Sequence, residues 1–260
     1  GEQGKKYIAW AKQNGYQVWP SISNNSYIDT TAQIMRDYKL REKLINQILE
    51  YITTYQLNGI NIDFENMYAE DKDNFSQFLA ELRPRLNEIG AVLSVDVTAP
   101  DGGETWSMCY NRNSIGKIAD YIIFMGYDQY GVSSTKSGTT AGGDWVETNI
   151  KKFLGQEGVE AEKLILGIPF YTRLWVERNG KISSRDTVSM KAVDKVLPKS
   201  AKKKWDENLK QNYVEYEQNG ATYKMWVEDE KSIGAKLDLI TQYNLAGVAF
   251  WEKDMESDSI

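Results

Sequence analysis

Three observations predict an α/β fold built on parallel strands. Short apolar runs alternate with helix-period patterns along most of the chain, and six of these runs read as strands followed by a helix or a loop. Several of the strands also end in polar or aromatic residues, at Asn24, Glu65, Tyr127 and Glu252. The strand count fits either a doubly wound sheet or an incomplete (β/α)8 barrel of the TIM type. The polar ends favour the barrel, whose active sites gather at the C-terminal ends of its strands.

The elements follow in order. Tyr7, Ile8 and Ala11 mark an opening helix that Gly15 ends, and Val18 to Ser23 reads as a strand. Leu40, Leu44, Ile45, Ile48, Leu49 and Ile52 share one face of a second helix. Gly59 to Glu65 is the next strand. Phe75, Phe78, Leu79, Leu82, Leu86 and Ile89 then form an amphipathic helix, with a kink expected at Pro84 and a stop at Gly90. Val92 to Thr98 and Tyr121 to Tyr127 are strands, joined by a loop or short helix over Pro100 to Lys117.

A Gly/Ser/Thr-rich connection, Gly131 to Gly143, leads to a helix around Val146, Ile150 and Phe153, and Leu164 to Phe170 is a strand. Residues 171–230 break the rhythm with charged stretches and antiparallel-looking patterns such as Thr222 to Val227, so they are expected to form a small α+β insertion. A helix around Ile233, Leu237 and Ile240 and a strand Gly247 to Trp251 complete the scaffold. The expected division is therefore a barrel catalytic domain over 1–170 and 231–260, with the insertion at 171–230.

Composition narrows the chemistry. The 260 residues include no His, which excludes Ser/His/Asp and Cys/His nucleophile activation and any imidazole acid or base. Proton transfer is left to carboxylates, Lys or Tyr. The single Cys109 excludes an internal disulfide and a Cys-based zinc cluster, and neither metal nor cofactor is expected. With 31 basic against 37 acidic residues the net charge is −6, so nucleic acid is not an expected partner. No run approaches the roughly 18 apolar residues of a membrane span, and Gly1 to Lys6 does not read as a signal peptide. The 8 Trp and 16 Tyr suit a carbohydrate ligand, since their flat faces stack on sugar rings, although most belong to packing.

The strongest local signal is Asn58-Gly59-Ile60-Asn61-Ile62-Asp63-Phe64-Glu65-Asn66. Alternate strand residues share a face, so Asn61, Asp63 and Glu65 project one way and Ile60, Ile62 and Phe64 the other. Two carboxylates withdrawn from water this close together raise the pKa of one of them, which is how a general acid stays protonated at neutral pH. The competing interpretation is a strand whose carboxylates cap helices or pair with basic residues.

This run resembles the D-G-x-D-x-D-x-E signature of family 18 glycoside hydrolases, the chitinase and N-acetylglucosaminidase family, with Asn58 and Asn61 where the first two Asp usually stand. Four further segments match in the family's order: Ser21-Ile22-Ser23-Asn24 for S-x-G-G, Met125-Gly126-Tyr127-Asp128 for M-x-Y-D, Gly167-Ile168-Pro169-Phe170-Tyr171 for G-x-P-x-Y, and Gly247 to Glu252 for the last strand. The segment around Glu65 and the insertion are most similar to the bacterial branch that contains spore-cortex peptidoglycan hydrolases.

The resemblance implies substrate-assisted retaining hydrolysis of β-linked N-acetylglucosamine, an exception to the two-carboxylate scheme. It makes Glu65 the general acid, Asp63 the residue that holds the 2-acetamido N–H and stabilises positive charge, and Tyr127 the residue that orients the acetamido oxygen. Trp251 would floor the sugar subsite, Asp128 would contact hydroxyls, and Asn61, Asp96 and Asn24 would complete the substrate-binding set. The implied partner is a polysaccharide containing N-acetylglucosamine, the protein a monomer, and the location extracellular, in the cell wall or spore envelope.

Two departures from the pattern carry expectations of their own. Asn61 cannot share a proton as the family's Asp does, whereas Asp96, on a strand where Ser94, Asp96 and Thr98 share a face, is placed to pair with Asp63 instead. In motif order the strand at Val18 corresponds to the family's third, so the first two barrel strands have no counterpart here. A catalytically weak or inactive chitinase-like lectin is the alternative from another class, against which the presence of Glu65 argues. A conventional glycosidase pairing Glu65 with Asp63 or Glu252 is the third.

Overall fold

Helices and parallel strands alternate through the first part of the computed structural model, which describes residues 1–260. The order is α1 (Glu2–Gln13), β1 (Ser21–Ser23), α2 (Ile28–Arg36), α3 (Tyr38–Tyr55), β2 (Gly59–Asp63), α4 (Lys72–Glu88), β3 (Val92–Val97), α5 (Arg112–Ile118), β4 (Tyr121–Met125), α6 (Gly143–Leu154) and β5 (Leu164–Pro169). Then come β6 (Tyr171–Arg178), β7 (Lys181–Ser189), α7 (Val193–Val196), β8 (Lys204–Asp206), β9 (Gln211–Gln218), β10 (Ala221–Val227), α8 (Glu230–Gln242) and β11 (Gly247–Trp251). Two units result, Gly1–Phe124 with Phe153–Leu164, and Met125–Lys152 with Ile165–Ile260.

The first unit is organised by the two faces of β2. Ile60 and Ile62, with Phe64 one residue past the strand, are buried, and Phe64 stacks on Phe78 of α4 with ring centroids 6.0 Å apart at 4°. Phe75, Leu79, Leu82 and Leu86 extend that contact along α4, and none is exposed. Each large apolar side chain removed from water in this way stabilises the fold by about 1.5–3 kcal/mol, so the apolar file fixes which way the polar file of β2 must face. β2 pairs in parallel with β1 on one side and β3 on the other, and β3 pairs with β4. Gly59 permits the close approach of β3, because a Cβ there would lie 2.6 Å from the Val92 carbonyl oxygen.

The second unit holds β5 and β11 in parallel, with Gly167 opposite Ala249, and an antiparallel sheet in the order β7-β6-β10-β9-β8. Leu174, Val188, Val193, Val214, Met225 and Val227 form the core beneath that sheet. Beside it, Glu228 and Lys236 make a fully buried ion pair at 3.0 Å. Ser232 and Gln211 also donate to Glu228, so neither charge is left uncompensated, as burial demands.

Parallel strands joined by helices are the α/β, TIM-type arrangement expected from the sequence. The barrel is not closed, since β1 has β2 as its one sheet neighbour and β11 has β5. Several elements differ from expectation. The first strand is confined to Ser21–Ser23, because Pro20 has no N–H for a ladder; Val18 and Pro20 still accept from Asn58 and Asn61 through their carbonyls. Helix α2 was not anticipated. It is separated from α3 by the extended Asp37, whose carboxylate caps α3 by accepting from Leu40 N at 3.0 Å. Helix α4 continues across Pro84. β2 and β4 stop at Asp63 and Met125, so Glu65 and Tyr127 stand beyond their strands rather than within them.

Candidate active site

In the first unit, the sequence around β2 and β3 brings five of the expected residues together. Asn61 and Asp63 project from the face of β2 opposite Ile60 and Ile62. The Asn61 amide donates to Asp96 Oδ1 at 2.8 Å and to Ser94 Oγ at 3.0 Å, so the polar faces of the two strands coincide. Asp63 Oδ1 is buried and has no hydrogen-bond partner. Burial raises the Asp63 carboxyl above the usual carboxylate range. Burial likewise pushes Asp96 up, to about 7, with the charges of Asp63 and Glu65 raising it further and the Asn61 hydrogen bond opposing them.

Glu65 is held by its backbone. Its N–H donates to Asn24 Oδ1 at 3.0 Å and its carbonyl accepts from Asn24 Nδ2 at 2.8 Å. Asn24 can reach because the chain after β1 turns sharply, with Asn25 and Ser26 both at positive φ. Within that turn Ser26 N donates back to Asn24 Oδ1, and Thr31 of α2 accepts from Asn24 Nδ2. Asn24 thus spends its amide on the Glu65 backbone and its own turn. Tyr110, which sequence reasoning did not single out, donates its hydroxyl to the carbonyl of Phe64 at 2.7 Å. Glu65 is therefore anchored from the residue before it as well as from its own peptide groups.

The second unit contains the other expected residues. Asp128 adopts a left-handed backbone at φ 57°, and its Oδ1 accepts from the Tyr171 hydroxyl at 2.8 Å and from Arg173 at 2.7 Å. Arg173 is almost wholly buried, with 5% of its side chain exposed, against 31% for Asp128, so the guanidinium depends on that carboxylate for compensation of its charge. Tyr127 meets Tyr171 edge to face at 6.3 Å. Burial and the Asp128 charge push the Tyr171 phenol well up. Neither Tyr171 nor Arg173 was assigned a role from the sequence, although their i, i+2 spacing on β6 puts them on one face, a signal that was available. Trp251 ends β11 with half of its surface exposed, and its carbonyl accepts from Phe170 N at 2.7 Å. The neighbouring Phe250 stacks on Phe170 at 4.5 Å.

Chemically, the first unit supplies a carboxylate on a fixed backbone, Glu65, next to a second carboxyl, Asp63, that water does not fully solvate. The second supplies an anchored aspartate and aromatic rings. The two carboxyls of the first unit by themselves suit proton transfer to a leaving group with a nearby negative charge to meet a developing cation.

Similarity to known proteins bears on this chemistry directly. The chain is 29% identical to the glycosylase YvbX of Bacillus subtilis over 270 aligned residues, covering 100% of this chain and 77% of that protein. It is 25% identical to the cortical fragment-lytic enzyme of Bacillus subtilis, over 89% of this chain but 55% of the enzyme, and so spans about half of that relative's length. Among solved structures, a chitinase from Chromobacterium violaceum superposes with a TM-score of 0.90 at 24% identity, over 98% of this chain and 81% of that one. The spore cortex-lytic enzyme SleL of Bacillus cereus does so with a TM-score of 0.82 at 22% identity, over 96% and 59%. At those identities the two structures establish the fold alone. Residues 2–256 match the profile described as Glycosyl hydrolases family 18, and a match of that extent, spanning both the carboxylates of the first unit and the Asp128 cluster of the second, means that the chain belongs to glycosyl hydrolases family 18.

Proposed function

We propose that the chain hydrolyses β-linked N-acetylglucosamine in an envelope polysaccharide, with peptidoglycan favoured over chitin, by substrate-assisted catalysis with retention of configuration. The observation that carries this is the combination on one short segment of Glu65, fixed through its own peptide groups by Asn24, with Asp63, whose buried Oδ1 lacks a partner.

Glu65 gives its proton to the glycosidic oxygen as the C1–O bond breaks. The carbonyl oxygen of the substrate's 2-acetamido group closes on C1, forming an oxazolinium ion, and no nucleophile from the protein is required. Asp63 accepts the acetamido N–H and offsets the positive charge, while Tyr127 orients the acetamido oxygen. Glu65, now ionised, takes a proton from the water that opens the ring, which restores both partners and retains the β configuration. Trp251 provides an apolar face for the sugar, and Asp128, fixed by Arg173 and Tyr171, takes a hydroxyl. Arg173 and Tyr171 here act through Asp128. The names of the cortex-lytic relatives support peptidoglycan as the polymer and the spore or cell envelope as the place of action.

The test compares N-acetylglucosamine oligomers with purified peptidoglycan, each with and without a thiazoline mimic of the oxazolinium ion. Hydrolysis of a 2-acetamido substrate that the thiazoline inhibits is the expected result. Cleavage indifferent to the thiazoline would point to a two-carboxylate glycosidase, and binding without products to a lectin.

A further inference from the structure

We propose that Asp96 and Asp63 share one proton across the β2–β3 pair, with Asp96 as its donor, so that the neighbouring strand completes the carboxylate pair beside Glu65. This deepens the function proposed above and rests on it for its catalytic meaning.

The geometry comes from register. Asn61 lies opposite Ser94 and Ile62 opposite Val95, so the next step brings Asp63 level with Asp96, at a strand spacing of about 4.8 Å. The two side chains leave the same face, since Asn61, two residues before Asp63, reaches both Ser94 and Asp96. The Asn61 amide also orients Asp96. By donating to Oδ1 it marks that oxygen as an acceptor and leaves Oδ2 as the one that carries the proton.

Asp63 supplies the complementary half. Its Oδ1 is a buried acceptor without a partner, a costly condition that one donor would relieve. Asn61 cannot supply that donor, because its N–H groups serve Ser94 and Asp96. The charged groups bearing on Asp96 are Asp63 and Glu65, both of which favour its neutral form, while β4 presents the apolar Ile123 opposite it. Two carboxylates so placed cannot both ionise without mutual repulsion.

When positive charge develops on the sugar, the shared proton stays with Asp96 and Asp63 turns fully anionic towards it. When the charge is quenched, the proton moves back towards Asp63 Oδ1. One O–H bond breaks and another forms at each shift, the pair holds a constant net charge of one, and no further reactant takes part. Asp96 is a positioning residue, acting on substrate through Asp63.

The test has two readouts. Carbon-13 NMR of aspartate-labelled protein follows the two carboxyls: the pair should keep one proton up to near neutral pH in the wild type, and in Asp96→Asn the remaining Asp63 should titrate in a single step at lower pH than the wild-type pair gives up its last proton, still raised by its burial. Kinetics on an N-acetylglucosamine oligomer should show kcat down by roughly 10- to 100-fold in Asp96→Asn, the size of loss that follows misplacement of a catalytic group, with KM little changed. The exchange Asn61→Asp/Asp96→Asn, which returns the acid to the other strand, should recover most of that loss. Joint ionisation of Asp63 and Asp96 near pH 4 in the wild type would overturn the proposal, as would an Asp96→Asn enzyme with unchanged kcat and pH profile, or a double variant whose losses simply add. If the wild type hydrolyses nothing, the proposed function fails while the NMR titration still decides whether the proton is shared.

Discussion

Asn24 and Glu65 clasp each other through two opposed hydrogen bonds, the Asn24 amide donating to the Glu65 carbonyl at 2.8 Å and the Glu65 N–H donating to the Asn24 carbonyl oxygen at 3.0 Å. An amide is the one side chain of this size that can do both at once. Asn24→Asp keeps the acceptor but sets a carboxylate oxygen against the Glu65 carbonyl. It should lower kcat by about 10- to 100-fold with KM nearly unchanged, and lower stability by about 1–3 kcal/mol. Steady-state kinetics and a thermal melt of the variant check both parts; a change in KM alone would assign Asn24 to substrate contact instead.

Arg173 supports Asp128 from an almost wholly buried position and shares it with the Tyr171 hydroxyl. Arg173→Met removes the cation and leaves Asp128, in its left-handed backbone, with one donor. The expected outcome is a rise in KM several times larger than any change in kcat, read on short oligomers. Because Asp128 keeps 31% of its side chain exposed and the Tyr171 donor, the loss in chemical denaturation should be smaller than for a stranded buried charge, about 1–3 kcal/mol. Tyr171→Phe should show a milder form of the same pattern.

Asp96 ties stability to pH. Its carboxyl binds a proton more tightly folded, with a pKa of about 7, than unfolded, where the value is about 4. A group raised on folding favours the native state at low pH and loses that contribution as pH climbs from the unfolded to the folded value. Wild-type melting temperature should therefore decline between about pH 4 and 7 by a component that Asp96→Asn lacks, making the variant the more stable protein above pH 7 and no better below pH 4. Parallel melts across that range measure the difference.

The Glu228–Lys236 pair, with Ser232 and Gln211 bonded to the carboxylate, is fully buried. Glu228→Gln strands the ammonium of Lys236 and should cost about 3–5 kcal/mol, whereas replacing both residues by apolar ones of similar volume should cost much less. Denaturant titration of the two variants separates these outcomes.

Much of this was legible in the sequence because β2 combines two periodic files. Ile60 and Ile62 announce the core and Asn61 and Asp63 are forced to the opposite face, with Phe64 and Glu65 just past the strand end, so both the parallel scaffold and the carboxylate cluster could be read from a few residues. The features that escaped depend on contacts distant in sequence or on backbone signs that no pattern announces. The hold of Asn24 on the peptide of Glu65, 41 positions away, follows a turn in which Asn25 and Ser26 both take positive φ, which no sequence pattern announces. Arg173 and Tyr171 become partners of Asp128 only when β6 is folded beside it. Helix α2 was hidden because Asp37, a cap for α3, interrupts what looks like one polar approach to a single helix.

The most direct measurement is mass analysis of products from N-acetylglucosamine oligomers and peptidoglycan treated with wild type and with Glu65→Gln. If Glu65 carries the proton, the wild type releases fragments from at least one of them and the variant slows by about 100-fold or more while still binding the oligomer. Fragments formed at an equal rate by the two proteins would contradict the assignment of Glu65 as the acid.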